Sequence, residues 1–518
     1  MKTTSDLLWR LIHSLNSPEK LFFKRNFSAG RDATRHLYLK LFDAVLAQKK
    51  YDEAAILKKF APSLNKKNIA FQKHYLHQQV CDALIAYENR RGAGQEDLYQ
   101  QVQMIRLYRR KGLLEEAHSI WDKAVRKARH SESFAILNLL KSEFEKMILF
   151  SNLHTSYDEL HSVFRNNLIT YTEYAEMITL RDVYTETLLL KRKAHYDIDE
   201  ELKERIMYLM GKISGFTTPT RNRSFWYGHY YRMSLANLYY LQNRIPESLE
   251  LLQKIRTDWI KDTRFLVTYG EYYIELLYMI NYAGVLNGSF GYVKEVFQDP
   301  VNELIREPVL RANFEAIRFL ALNKIYNKSA RYTEVGRLIS DMKKLYPQWE
   351  AVLNADLNRT ICFSLGIGYF VMEQYDEALF YFKRGIQWFR DGARDEYRSL
   401  GHLLMLMTAY CQNNSRMFDS EYRSAYSYFY RRKKKYPFEA AMVQCLQHTF
   451  YLDDHRKKTT EFRKTISVFE QHRENVVQQI SVSIFNFPGW LESRIRRISY
   501  RRYVEQKVKE ENPAVSFS

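Results

Sequence analysis

Residues 361–387, ICFSLGIGYFVMEQYDEALFYFKRGIQ, decide the fold. Leu365 and Gly366 precede Tyr369, and Ala378, Phe382 and Gly385 follow it at steps of 9, 4 and 3. Steps of 3 and 4 keep the last three residues on one stripe of a helix. The step of 9 crosses a turn between two helices. Small residues at Ala378 and Gly385 let the two helices approach closely, and Phe382 fills the space between them. The same steps join Tyr108, Ala117, Trp121 and Ala124. They recur in Tyr239, Ser248, Leu252 and Ile255, and in Tyr326, Val335, Ile339 and Met342, the last followed by Pro347.

An acidic signature marks the turns: Tyr51-Asp52-Glu53-Ala54, Leu114-Glu115-Glu116-Ala117, Tyr157-Asp158-Glu159-Leu160, Ile245-Pro246-Glu247-Ser248 and Tyr375-Asp376-Glu377-Ala378. Carboxylates in a first turn complement the positive end of a helix, and Pro246 suits the first helical position.

The order Leu-Gly, Tyr, Ala, Phe, small resembles the tetratricopeptide repeat (TPR), most fully around Tyr369 and in degenerate form elsewhere. The turn signatures recur at multiples of about 43 residues, against the roughly 34 usual for that family. Slightly longer helices account for the difference. Further copies are expected at Asp199-Glu200-Glu201-Leu202 and near Phe290-Gly291-Tyr292-Val293. The opening, LLWRLIHSLNSPEKLFFKRNFS and then YLKLFDAVLAQKKYDEAAILKKF, is similar to the start of a group of long bacterial TPR-like proteins. That likeness implies fold and names no activity. The step from the signature at Tyr51 to the one at Leu114 fits neither period, so the N-terminal part is expected to be built differently.

Composition agrees with an all-α chain. The 518 residues hold 18 glycines and 10 prolines, under half of the roughly 12% of an average protein. Long helices exclude both residue types. At a dozen or more residues per helix the chain holds on the order of 25 helices. The expected fold is an α-α superhelix of antiparallel TPR-like pairs. Its expected organisation is an N-terminal helical unit over 1–91, a solenoid over 97–415 and a basic helical region over 416–518 that caps it, with a break around Arg90 to Glu96.

The four cysteines, Cys81, Cys362, Cys411 and Cys445, are scattered and form no C-x-x-C pair, so reduced thiols are expected. The first residues lack the continuous apolar run of a secretory leader, and no stretch approaches the roughly 18–20 apolar residues of a membrane span. The expected location is cytoplasmic. There is no G-x-x-x-x-G-K-[ST], H-E-x-x-H or G-x-S-x-G motif, and no cofactor or catalytic residue is assigned.

The resemblance implies a groove lined by four positions of each first helix. Its polar members here are Arg106 and Arg109, Asn237 and Tyr240, and Lys324 and Asn327. Around Tyr369 the same positions are Thr360, Phe363, Ile367 and Phe370, an apolar set expected to be covered by a neighbouring helix. A non-catalytic scaffold that binds a protein or peptide is the leading expectation.

The net charge of +19 leaves a second one open. Residues 416–518 carry 20 Lys or Arg against 12 Asp or Glu, including the run Arg431-Arg432-Lys433-Lys434-Lys435. Residues 490–511 read as one helix with Arg494, Arg497 and Arg501 on one face. That face would suit phosphates of RNA or DNA, with Tyr500 and Tyr503 to stack on bases, or an anionic membrane. The alternative is a solvated capping helix. His74, His77 and Cys81 share a helical stripe with the spacing of metal ligands, but packing into the core accounts for them without an ion. An enzyme whose site is assembled only in space is the third expectation.

Overall fold

A computed structural model describes residues 6–28, 33–91, 95–149, 157–193, 200–219, 224–388, 395–431 and 436–511. Every regular element among them is a helix. The chain divides into two compact units, Met1–Asn166 and Asn167–Ser518.

The first unit holds α1 (Leu7–Ser14), α2 (Ser17–Ser28), α3 (Ala33–Leu46), α4 (Glu53–Lys59), α5 (Ile69–Arg91), α6 (Gln95–Arg110), α7 (Leu114–His130) and α8 (Phe134–Leu149). It has two cores. Leu8, Ile12, Phe23, Phe42, Leu76 and Val80 belong to one, drawn from α1 to α5. Leu98, Ile105, Ala117, Ala124, Leu140 and Met147 belong to the other, drawn from α6 to α8. The odd spacing between Tyr51 and Leu114 thus separates two different packings. Residues 92–94, at the expected break, lie outside the described residues.

After α9 (Tyr157–Lys193) come α10 (Glu200–Ser214), α11 (Phe225–Leu241), α12 (Ile245–Lys261), α13 (Thr263–Thr268), α14 (Gly270–Leu286) and α15 (Phe290–Gln298). A 3-10 turn at Pro300–Leu304 leads to α16 (Pro308–Lys328), α17 (Tyr332–Trp349), α18 (Ala355–Val371), α19 (Tyr375–Gln387), α20 (Asp395–Gln412) and α21 (Ser415–Arg431). The chain ends with α22 (Pro437–Phe450), α23 (His455–Gln471), α24 (Val476–Ile484), α25 (Phe487–Ile495) and α26 (Tyr500–Glu511). Within the second unit, α11/α12, α14/α15, α16/α17, α18/α19, α20/α21 and α22/α23 pack as pairs. First helices of successive pairs also touch, α14 with α16, α16 with α18 and α20 with α22, while α20 meets the second helix α19 of the pair before it. This is an α-α superhelix of antiparallel helix pairs. The signature expected at Glu200 begins α10 and that at Phe290 begins α15; Asp199 lies outside the described residues.

One turn builds the pairs. Its closing residue has positive φ, and the next N–H bonds the carbonyl five residues back, a Schellman closure that satisfies the last free carbonyls of the first helix. Leu113 N donates to Tyr108 O, Arg244 N to Tyr239 O, Arg331 N to Tyr326 O and Gln374 N to Tyr369 O, at 2.8–2.9 Å. The tyrosine that opens each 9-4-3 pattern therefore supplies the carbonyl that closes the turn. Ser289 N and Gly284 O make the same bond at 2.8 Å. The left-handed residues are Gly112, Asn243, Gly288, Ala330 and Glu373, so within the second unit they recur at 45, 42 and 43 residues.

The second-helix residues of the pattern fill the pair interfaces. Ala117, Ala124, Ser248, Leu252, Val335, Ala378 and Phe382 have no exposed surface. Ser248 Oγ donates to Ala236 O at 2.8 Å across the α11/α12 contact. At α18/α19 a Cβ on Gly366 would lie 2.5 Å from the Phe382 ring, so only glycine allows that approach.

The C-terminal helices are not a separate layer. Phe485 meets Phe370 of α18 edge-on at 5.4 Å. Trp490 meets Tyr410 of α20 at 5.8 Å, and Phe487 stacks on Phe469 of α23 at 6.2 Å. The Arg501 guanidinium lies 5.2 Å from the ring of Tyr332, the first residue of α17. Residues 485–501 thus brace four successive pairs from α16/α17 to α22/α23. Among the described residues no helix is long and apolar enough to cross a membrane.

Candidate functional site

The turn gives every first helix a common register. Arg106, Asn237, Lys324 and Ile367 each lie six residues before a left-handed residue, and Arg109, Tyr240, Asn327 and Phe370 three before. Equivalent positions have different surroundings.

In α6 the pair is engaged internally. Arg106 Nε donates to Glu143 Oε1 of α8 at 2.8 Å, and Arg109 Nη2 lies 3.4 Å from Oε2. Lys146 Nζ adds a third cation, 3.0 Å from Oε1. The Glu143 side chain has no exposed surface. Burial alone would raise its pKa, but the hydrogen bonds from Lys146 and Arg106 outweigh it and hold the carboxyl below its usual value. In α11, Asn237 has no exposed surface, and its Nδ2 donates to Thr187 Oγ1 of α9 at 3.0 Å. Tyr240 is half-buried. In α18, Phe363 and Phe370 are buried, the latter under Phe485, and Ile367 is half-buried.

α16 differs. Lys324 is half-buried, and no carboxylate among the described residues pairs with it. Burial, with the charge of Lys328 one turn on, lowers its pKa from 10.5 to about 8. Lys328 itself lies 5.8 Å from the Phe290 ring. Asn327 Nδ2 donates to Asn323 O at 2.8 Å and lies 3.1 Å from Asn323 Oδ1, while its own Oδ1 is buried without a hydrogen-bond partner. On the adjacent α14, Tyr282 holds the register position of Lys324, and its hydroxyl accepts from Tyr278 at 3.2 Å. One turn earlier Glu275 pairs with Lys191 of α9 at 2.7 Å. Sequence reasoning missed this tyrosine pair because Gly284 replaces the tyrosine and Val293 the alanine of the pattern. The Asn287-Gly288 dipeptide was the available signal.

The C-terminal arginines are not brought together. The single helix expected over 490–511 is two, with a turn at Arg496–Ser499 in which Arg497 has φ 54°. Arg494 points inward: its Nη2 lies 2.8 Å from Cys411 Sγ and its guanidinium 5.1 Å from the Trp490 ring. Arg501 is exposed and bonds Glu505 at 2.9 Å. Arg497 is exposed within the turn. Tyr503 is buried and Tyr500 half-buried, so neither offers a free ring face. Of the basic run, Arg432 to Lys435 lie outside the described residues.

The stripe of His74, His77 and Cys81 is not in the core. Leu76 and Val80 turn inward instead, while His74 and Phe71 are exposed. Cys81 Sγ lies 3.9 Å from His77 Nδ1. No group of three metal-ligating side chains occurs among the described residues.

No family model matches the chain, and no curated protein does. Among solved structures, the apo form of RapI aligns with 81% of this chain and 99% of its own, at 11% identity and a TM-score of 0.44. The fold and the side-chain geometry therefore carry the functional reading.

Proposed function

We propose that the protein is a non-catalytic scaffold whose first-helix face at α14 and α16 binds a polypeptide segment carrying a carboxylate. Lys324 carries this reading. A half-buried ammonium without a counter-ion is costly, because desolvation is not offset by a partner. At the equivalent position of α6 the charge of Arg106 is met by Glu143, and in α11 the uncharged Asn237 donates to Thr187, although its own Oδ1 is buried without a donor. Only at α16 does the charge go unmet, and a carboxylate from outside would both neutralise it and raise its pKa. Asn327 Oδ1, buried without a donor, is a second unmet polar group on the same helix.

A peptide array tests this. The full chain should retain peptides containing Asp or Glu in preference to the same peptides with Asn or Gln, and Lys324→Met should lose that preference. Equal retention by both chains would refute it. Binding of RNA or DNA at Arg494, Arg497 and Arg501 has less support, since Arg494 is occupied by Cys411 and Trp490.

A further inference from the structure

A second surface lies on α21. Phe418, Tyr422, Tyr426 and Tyr430 follow one another at steps of four along this helix. Adjacent rings are spaced 6.3, 6.0 and 6.1 Å, with interplanar angles of 18°, 31° and 18°. Exposure rises along the row: Phe418 is core at 1%, Tyr422 is half-buried, Tyr426 is 54% and Tyr430 71% exposed. The lower end is anchored, since Phe418 stacks on Phe450 at 3.9 Å and the Tyr422 hydroxyl donates to Gln447 Oε1 at 2.6 Å. At the upper end the Tyr426 and Tyr430 rings are exposed.

The charges beside it are mostly basic. Arg416, Arg423 and Arg431 of α21 are exposed, and none pairs with a carboxylate among the described residues. Arg416 and Arg423 are seven residues apart and share the face of Tyr426 and Tyr430. Of the two carboxylates of the helix, Glu421 pairs with Lys383 at 2.7 Å, while Asp419 accepts from the Tyr451 hydroxyl at 2.5 Å and is the one on this face.

We infer that the Tyr422–Tyr426–Tyr430 row, edged by Arg416 and Arg423, binds single-stranded nucleic acid, with bases against the rings and phosphates at the arginines. A polyanion with π faces matches both halves of the surface. An acidic polypeptide matches only the charges and leaves the two exposed rings without a role. A single strand can stretch beyond the roughly 3.4 Å rise of a duplex, which lets it follow rings one helical turn apart. The site is separate from Lys324 and does not depend on it.

The test is fluorescence anisotropy of the full chain with a labelled short oligouridine across a range of salt. Unlabelled polyglutamate and a duplex of the same length serve as competitors. Oligouridine should bind with salt-dependent affinity, and Tyr426→Ala with Tyr430→Ala should weaken it at least tenfold while thermal stability is unchanged. Arg423→Gln should flatten the salt dependence, and Lys324→Met should change nothing. No binding at physiological salt, equal competition by polyglutamate, or full binding by the double tyrosine variant would each overturn the inference.

Discussion

Arg106 Nε and Glu143 Oε1 lie 2.8 Å apart, joining α6 to α8 through a carboxylate with no exposed surface. Arg109 and Lys146 reach the same group. Glu143→Ala would leave three cations facing an apolar gap, and should destabilise the first unit by about 2–3 kcal/mol. That is below the 3–5 of a fully buried pair because Arg106 and Lys146 are partly exposed. The folded-state pKa of Glu143 is depressed, so its contribution is present above the ordinary carboxylate pKa and is lost as pH falls through the lower folded value. Denaturant unfolding of wild type and variant against pH reads both effects.

Lys324 should act in the opposite sense. Its folded pKa of about 8 lies below the usual 10.5, so the charged form costs stability in full below pH 8. The cost is relieved as pH rises from 8 to 10.5. Lys324→Met should therefore stabilise the free protein by about 1–2 kcal/mol at neutral pH, discounted for partial exposure, with the gain shrinking at alkaline pH. A stabilising substitution that removes binding is the usual mark of a functional residue.

His229 makes the second unit acid-sensitive. Burial first, and the charge of Arg232 second, lower its pKa from 6.5 to about 3. The unfolded chain then takes up a proton as pH falls below 6.5 while the folded chain resists until about 3, so stability drops across that window. The loss reaches about 2 kcal/mol by about pH 5. His402, lowered to about 4 by burial and Arg398, acts in the same direction. His229→Phe should remove its share of the slope. It should also cost about 1–3 kcal/mol at neutral pH, because Trp259 Nε1 donates to His229 Nδ1 at 3.2 Å.

Gly366→Ala should destabilise by about 1–3 kcal/mol through overpacking against Phe382. Combining it with Phe382→Leu should cost less than the sum of the two changes, and a double-mutant cycle on unfolding free energies measures the difference.

The repeat was legible because one geometry writes the same mark each time. Tyr108, Tyr239, Tyr326 and Tyr369 close identical turns, and the residues 9, 13 and 16 later fill identical interfaces. Other turns left no mark. Arg497 adopts positive φ without being glycine, which hid the break at Arg496–Ser499 and made 490–511 read as a single helix. α9 runs for 37 residues, and its sequence contains no glycine or proline to break it. The His74 stripe misled because Leu76 and Val80 take the core side of α5.

The site was legible only as a register. Position along a first helix identified Arg106, Asn237 and Lys324 as equivalent. What covers each is set by residues far along the chain, Glu143 for the first and Thr187 for the second, and no local pattern encodes those meetings. Arg494 found Cys411, 83 residues away, in the same manner. The tyrosine row of α21 was present in the sequence at steps of four, but aromatic residues at helical spacing also describe a core, and only exposure separates the two.

The most direct test of the central claim is the pH-dependent acylation of Lys324, read by mass spectrometry, with and without an acidic peptide retained by the array. The account predicts that free Lys324 titrates near 8 and reacts ahead of the exposed lysines at neutral pH, and that the peptide suppresses the reaction and raises the midpoint. A bound peptide that leaves the reactivity of Lys324 unchanged would contradict it.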